Sequence, residues 1–167
     1  MSFVIALPLV KSLEGPGKAG EKWGMTQGTW ELLGFKGRVE DASDPDIANA
    51  YRMLWDSLKF YDVTRQPASV CAFSILPEPA DSVAFQFFIN VPFTAFIKAL
   101  QGALGAKMDG VLGRESWRAV EGWNGQGMAL SEKVLTAQEW HYRSGHSPDK
   151  DGLLNRVERV REWLREQ

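Results

Sequence analysis

The side chains best placed for bond-breaking chemistry lie in one short stretch near the N-terminus. Glu14 follows an apolar run and precedes Gly15-Pro16-Gly17, and Glu21, Trp23 and Thr26 come next, interspersed with Gly20 and Gly24. A carboxyl on that border could stand at the lip of a cleft, half in apolar surroundings and with Trp23 nearby. Apolar surroundings keep a carboxylic acid protonated near neutral pH, which is what delivering a proton to a leaving oxygen requires. A second group must then hold an attacking water or offset developing positive charge, and Glu21 and Thr26 are the loop candidates. Each residue also has a plainer reading. Glu14 can be a solvated helix-end residue, Glu21 an ordinary loop carboxylate beside Lys22, and Thr26 the cap of a following helix. Trp23 and Trp30 can stack on the C–H faces of sugar rings or fill core.

Other combinations of reactive residues lack the spacing their chemistry needs. His141 and His146, the two histidines, are five apart, a poor fit for two ligands on one helical face, and no cysteine pair joins them. Asp149-Lys150-Asp151-Gly152 opens like a calcium loop, but its glycine comes too early and the distal glutamate is misplaced. A turn into a last helix, led by Ser147-Pro148, fits better. The single cysteine, Cys71, lies among Val70, Ala72 and Phe73 and reads as buried filler. No metal or organic cofactor is expected.

Positioning Glu14 falls to the element before it. Residues 2–13 are apolar nearly all round, so a buried helix is expected, with Ser2 as its cap and Pro8 as a kink. Residues 15–24 hold too many glycines for a helix and read as a long loop or short hairpin. Thr26 can cap a short helix reaching about Leu33. Ser43 or Asp44 can cap the next, with Pro45 in its first turn, where the missing N–H is tolerated. Its apolar face is Ile47, Tyr51, Leu54, Trp55 and Leu58, three and four apart. Residues 70–76 fit a strand or a buried helical piece equally well. After Pro77 and Pro79, residues 82–89 are almost wholly apolar, as in an element buried on every side. Further helices are expected after Pro92 and over 113–123, 128–143 and 153–165. The last should bury Leu153, Val157, Val160 and Leu164 and leave Arg156, Arg159 and Arg161 largely outside. The fold class is therefore mostly α, with a glycine-rich loop or small hairpin near the N-terminus.

Composition narrows the function classes. A chain of 167 residues, 44% hydrophobic, fits one domain around one core. Charged residues are 24%, both signs are interspersed and the net charge is −2, so nothing resembles a footprint for nucleic acid or an anionic membrane. No apolar run is long enough to span a bilayer. One cysteine cannot form an internal disulfide. The opening apolar stretch lacks a basic lead and a small-residue cleavage pattern, so synthesis in a bacterial cytoplasm without a signal peptide is expected. Seven tryptophans are well above ordinary usage, and core packing accounts for most of them.

Several stretches, in order along nearly the whole chain, resemble glycoside hydrolase family 108, a lysozyme-like group of muramidase type with phage endolysin relatives. Leu13-Glu14-Gly15-Pro16 is similar to the family's Glu-Gly-Gly helix end, and Gly20-Glu21-Lys22-Trp23-Gly24-Met25-Thr26 to its glycine-rich loop and Thr-Asn-Tyr-Gly-Ile-Thr signature. Tyr51, Arg52 and Trp55-Asp56 resemble a following helix, and Asn90-Val91-Pro92 the turn that ends a buried middle one. Leu100-Gln101-Gly102-Ala103-Leu104-Gly105 with Asp109-Gly110 is the most specific piece. Gly152-Leu153-Leu154-Asn155-Arg156-Val157 is similar to a late family pattern. The sequence departs from the family at Pro16, at Glu21 in place of Thr, at Gln86 in place of an acidic residue, and in a shorter loop.

The resemblance implies a single lysozyme-like domain over 1–167, whose C-terminal part, about 91–167, resembles the family's peptidoglycan-binding portion. It also implies that Glu14 is the catalytic acid; Glu21 and Thr26 remain the loop candidates for the second catalytic group, and Trp23, Trp30, Asn90 and Gln101 are the candidates for contacting substrate. That role needs the Glu14 carboxyl at the edge of a groove, free of a permanent basic neighbour. The expected function is cleavage of peptidoglycan glycan strands without a cofactor, at the cell wall or periplasm or within a phage particle, beside other virion or lysis proteins. A second expectation is a non-catalytic virion or wall-binding relative, favoured by the departures. A third, weaker one is a partner-binding protein that uses exposed aromatic surface.

Overall fold

The opening apolar run folds into α1 (Phe3–Glu14), which buries Ala6, Leu9, Val10 and Leu13 and carries Pro8 within it. The computed structural model describes residues 3–61, 67–145 and 147–167. Ser2, expected as the cap of α1, and His146 lie outside that set.

The glycine-rich stretch resolves into a hairpin. β1 (Glu21–Lys22) pairs antiparallel with β2 (Met25–Thr26), Glu21 opposite Thr26 and Lys22 opposite Met25. The two residues between them, Trp23 and Gly24, both have positive φ, 52° and 80°. That is the mirror-image turn whose twist suits two-residue hairpins. Glycine adopts it freely, whereas tryptophan does so only when its neighbours hold it there. The hold comes from Tyr51, whose hydroxyl donates to the Trp23 carbonyl at 2.7 Å.

Thr26 then caps α2 (Gln27–Leu32), its side chain accepting from the Thr29 backbone N–H. Ser43 caps α3 (Asp44–Ser57) in a reciprocal capping box with Asp46, so of the two candidate caps Ser43 is the one used. β3 (Lys59–Tyr61) and β4 (Pro67–Cys71) form a second antiparallel ribbon with Lys59 opposite Cys71. Residues 70–76, ambiguous by periodicity, end this strand and continue into a short 3-10 turn at Phe73–Ile75. α4 (Ala80–Phe88) is buried over nearly its whole length, as its all-round apolar composition requires.

α5 (Phe93–Leu104) ends at Gly105 in the left-handed conformation. α6 (Arg114–Glu121), α7 (Gly127–Ser144) and α8 (Lys150–Arg165) follow. Aromatic rings of α3 and α4 form the centre, with Phe85 within 5.0 Å of Trp55 and 5.3 Å of Phe73 between ring centroids. The result is mostly helical, with the helices arranged around buried α4 and a small hairpin after the first helix. Among the described residues no helix is long and apolar enough to cross a membrane.

Candidate functional site

Glu14 is the last residue of α1, and three other elements close on its side chain. Arg156 of α8 forms an ion pair with it, a guanidinium N–H donating to Oε1, and the two side chains are only 15% and 14% exposed. The Asn90 carboxamide, just past α4, donates to the same oxygen at 3.4 Å and to the Gln86 carbonyl at 2.7 Å. On the hairpin side Gly24 lies so close that a Cβ there would come within 2.5 Å of Glu14 Cγ and 2.8 Å of Oε2. Glycine is therefore required at 24 twice over, by its φ and by the carboxyl packed on it.

The end of α1 is held by the same C-terminal helix. Arg159 donates to the Leu13 carbonyl at 3.2 Å and to the Ser12 carbonyl, two groups that have no partner within the helix. Burial works against the charge of Arg156, but the hydrogen bond and charge of Glu14 outweigh it, so the guanidinium is held above its ordinary pKa. Two phenols stand nearby. Burial raises the pKa of Tyr51 well beyond its usual value, and the charge of Glu14 adds to the effect. Tyr142 is raised for the same reason and accepts a hydrogen bond from Gln138 at 3.0 Å. Both are neutral hydrogen-bonding groups near neutral pH.

The sequence candidates separate sharply. Asn90 lies beside Glu14, its carboxamide on the Oε1 oxygen. Trp23 forms the hairpin turn beside it, with the Lys11 ammonium 5.1 Å from its ring centroid and its indole N–H reaching Asp44 at 3.4 Å. That ring is partly covered already. Lys11 also holds the Asp44 carboxyl below its usual pKa, chiefly by a 3.0 Å hydrogen bond. Glu21 accepts from the Lys18 backbone N–H at 3.2 Å and so closes the turn before β1. Thr26 is a helix cap.

Two substrate-binding expectations are corrected. Trp30 is 3% exposed and stacks on Phe35 with centroids 4.1 Å apart, so its ring faces are taken up by core packing. Gln101 is 1% exposed, and its amide holds the Asp109-Gly110 turn: it donates to Asp109, Val111 and Ser116 and accepts from the Gly110 N–H.

Arg156 is a further correction, since it lies inside. The signal was present: Arg156 is three residues after Leu153 and four before Val160, on the buried stripe of α8 and not opposite it. Tyr51 was read as part of the apolar face of α3 and as a motif position, and its hydroxyl also donates to the hairpin at the Trp23 carbonyl. Arg161, also expected outside, bridges from α8 to Glu139 of α7 at 2.7 Å. Among the described residues no group of three or more His, Cys, Asp or Glu side chains could hold a metal ion.

No family model matches the chain, and no curated protein matches it. Among solved structures, that of SagA from Brucella abortus superposes on 97% of this chain and 92% of its own with a TM-score of 0.72, at 24% sequence identity. The two share a fold. In this chain the Glu14 carboxyl is clamped where the first helix, the hairpin, the turn after α4 and the last helix converge.

Proposed function

We propose that the chain is a peptidoglycan-directed glycan hydrolase of the family 108 type, with Glu14 as the residue that acts on the glycosidic bond. The observation that carries this reading is the placement of Glu14. Its carboxyl is fixed at a helix–hairpin junction by Asn90 and Arg156, with the hairpin backbone at Gly24 pressed against it. Glycosidic cleavage needs a carboxyl whose direction is set before substrate arrives, and the resemblance in the order of the motifs supports this glutamate as that carboxyl.

The ion pair sets a condition. Arg156 occupies the Glu14 oxygen Oε1, so a proton-donating role for Glu14 requires substrate to displace that contact and the carboxyl to take up a proton from solvent before it gives one to the leaving oxygen. The test is zymography on purified cell wall together with assay of released reducing ends, comparing the native chain with Glu14→Gln. Loss of at least ~100-fold in release, with the fold intact by circular dichroism, is the expected result. Equal release by both proteins removes Glu14 from the mechanism.

The ion pair itself favours a second reading, a non-catalytic wall-binding or virion protein in which Glu14 and Arg156 serve as a structural clamp. Co-sedimentation with insoluble peptidoglycan, without reducing ends from either protein, selects that reading.

A further inference from the structure

An open trough of about 710 Å³ runs between α5 and α7, lined by none of the residues that surround Glu14. Its floor is made of small side chains: Ala95, Ala99, Gly102 and Ala103 on one face of α5, and Ala137 on α7. Gly102 costs about 1 kcal/mol relative to Ala in a helix interior. A Cβ there would stand 3.3 Å from the Met108 sulfur, so glycine keeps the floor low where Met108 crosses it. Trp140, 68% exposed, and Met108, 54% exposed, offer apolar surface to whatever enters. Lys98 of α5 and Lys133 of α7 add two positive charges, and among the described residues neither has a carboxylate partner.

We propose that this trough seats an amphipathic α-helix of a partner protein, its apolar stripe on the alanine and glycine floor and its acidic flanks against Lys98 and Lys133. The floor from Ala95 to Ala103 is about 12 Å long at the helical rise, which matches two turns of a ligand helix with apolar anchors at i, i+3, i+4 and i+7. Concavity argues against a bilayer, whose flat surface would meet the protruding Trp140 and Met108 and leave the floor empty. Charge argues against a second copy of this chain. A second copy would offer through this face the same two lysines and no carboxylate among the trough's lining residues.

The probe is a fluorescein-labelled synthetic helix of about five turns, with leucine at the anchor positions and glutamate on both flanks, titrated against the full chain by anisotropy. Saturable binding is expected, weakened roughly tenfold or more by Lys98→Glu with Lys133→Glu and by Gly102→Leu, which fills the floor. The lysine pair is exposed, so its reversal tests the trough even if Gly102→Leu unfolds. A lysine-flanked peptide should not bind. The proposal is overturned by absence of binding, by equal binding of the two peptides, or by variants that bind like the native chain. It is overturned equally if phosphatidylglycerol vesicles bind through these residues and the peptide does not. A dimer in sedimentation that the lysine reversal dissociates has the same consequence.

Discussion

Glu14 stands at the negative end of α1, where aligned peptide dipoles oppose a further negative charge. Arg156 and Arg159 offset that opposition, one on the carboxylate and the other on the last carbonyls. Arg156→Gln should therefore leave a half-buried carboxylate without its partner, at a cost of about 2–3 kcal/mol. That is roughly 5–10 °C in Tm for a chain this size, readable by thermal melting. An unchanged Tm would show that the pair contributes no stability. Arg156→Lys keeps the charge without the planar fork and should recover only part of the loss. Gly24→Ala tests the other wall: the new methyl meets Glu14 Cγ and the residue must still hold φ near 80°. A lower Tm is expected, and under the proposed hydrolase function a collapse of glycan release with it, whereas a native-like Gly24→Ala protein would mean that the hairpin does not set the carboxyl. At this scale the sequence revealed residue types better than company. Glu14 and Asn90 were legible as motif positions. Arg156 was misplaced because its charge was given more weight than its position on the buried stripe of α8, and the partner that offsets the cost of burial lies 142 residues away.

Local signals made the helices legible where they were complete within a few residues. Ser43, Pro45 and Asp46 announce the start of α3, and its apolar spacing announces the face. Ser43→Ala should cost about 1 kcal/mol and lower Tm by about 3 °C, measurable against Ser43→Gly, which should cost less. The ribbon of β3 and β4 was not legible, since three to five residues with no long alternation leave pairing to a distant partner. Helix-to-helix charge contacts were equally hidden, and one of them makes a pH prediction. Arg161, and then Arg143, hold the Glu139 carboxyl below the value of 4.5 it would have alone. A lowered folded pKa means that the α7–α8 contact stabilises fully above the unfolded value and is lost as pH falls through the folded one. The Tm gap between native chain and Glu139→Gln should therefore be present at neutral pH and shrink at pH near 3. A gap of the same size at both would mean that the carboxylate charge does not contribute.

Across the whole molecule, the mostly helical class followed from composition and periodicity, but the way the two ends of the chain meet did not. α8, the last element, supplies Arg156 and Arg159 to the end of α1, the first. Those contacts span 142 and 146 residues. Around them the buried residues of α1, α3, α4, α5, α7 and α8 belong to one continuous apolar cluster. Removing α8 would then expose the apolar face of α1 and strip the partner from Glu14 at the same moment, so neither end should persist without the other. The expected outcome is a single cooperative transition in denaturant, with tryptophan fluorescence and far-ultraviolet circular dichroism giving coincident midpoints. A chain ending before Lys150 should show no cooperative transition at all. Should the two probes separate, or the shortened chain melt cooperatively, the C-terminal helix would be an appendage and not the closure of the Glu14 junction. In that case the clamp on the carboxyl would have to be assigned to Asn90 and the hairpin alone.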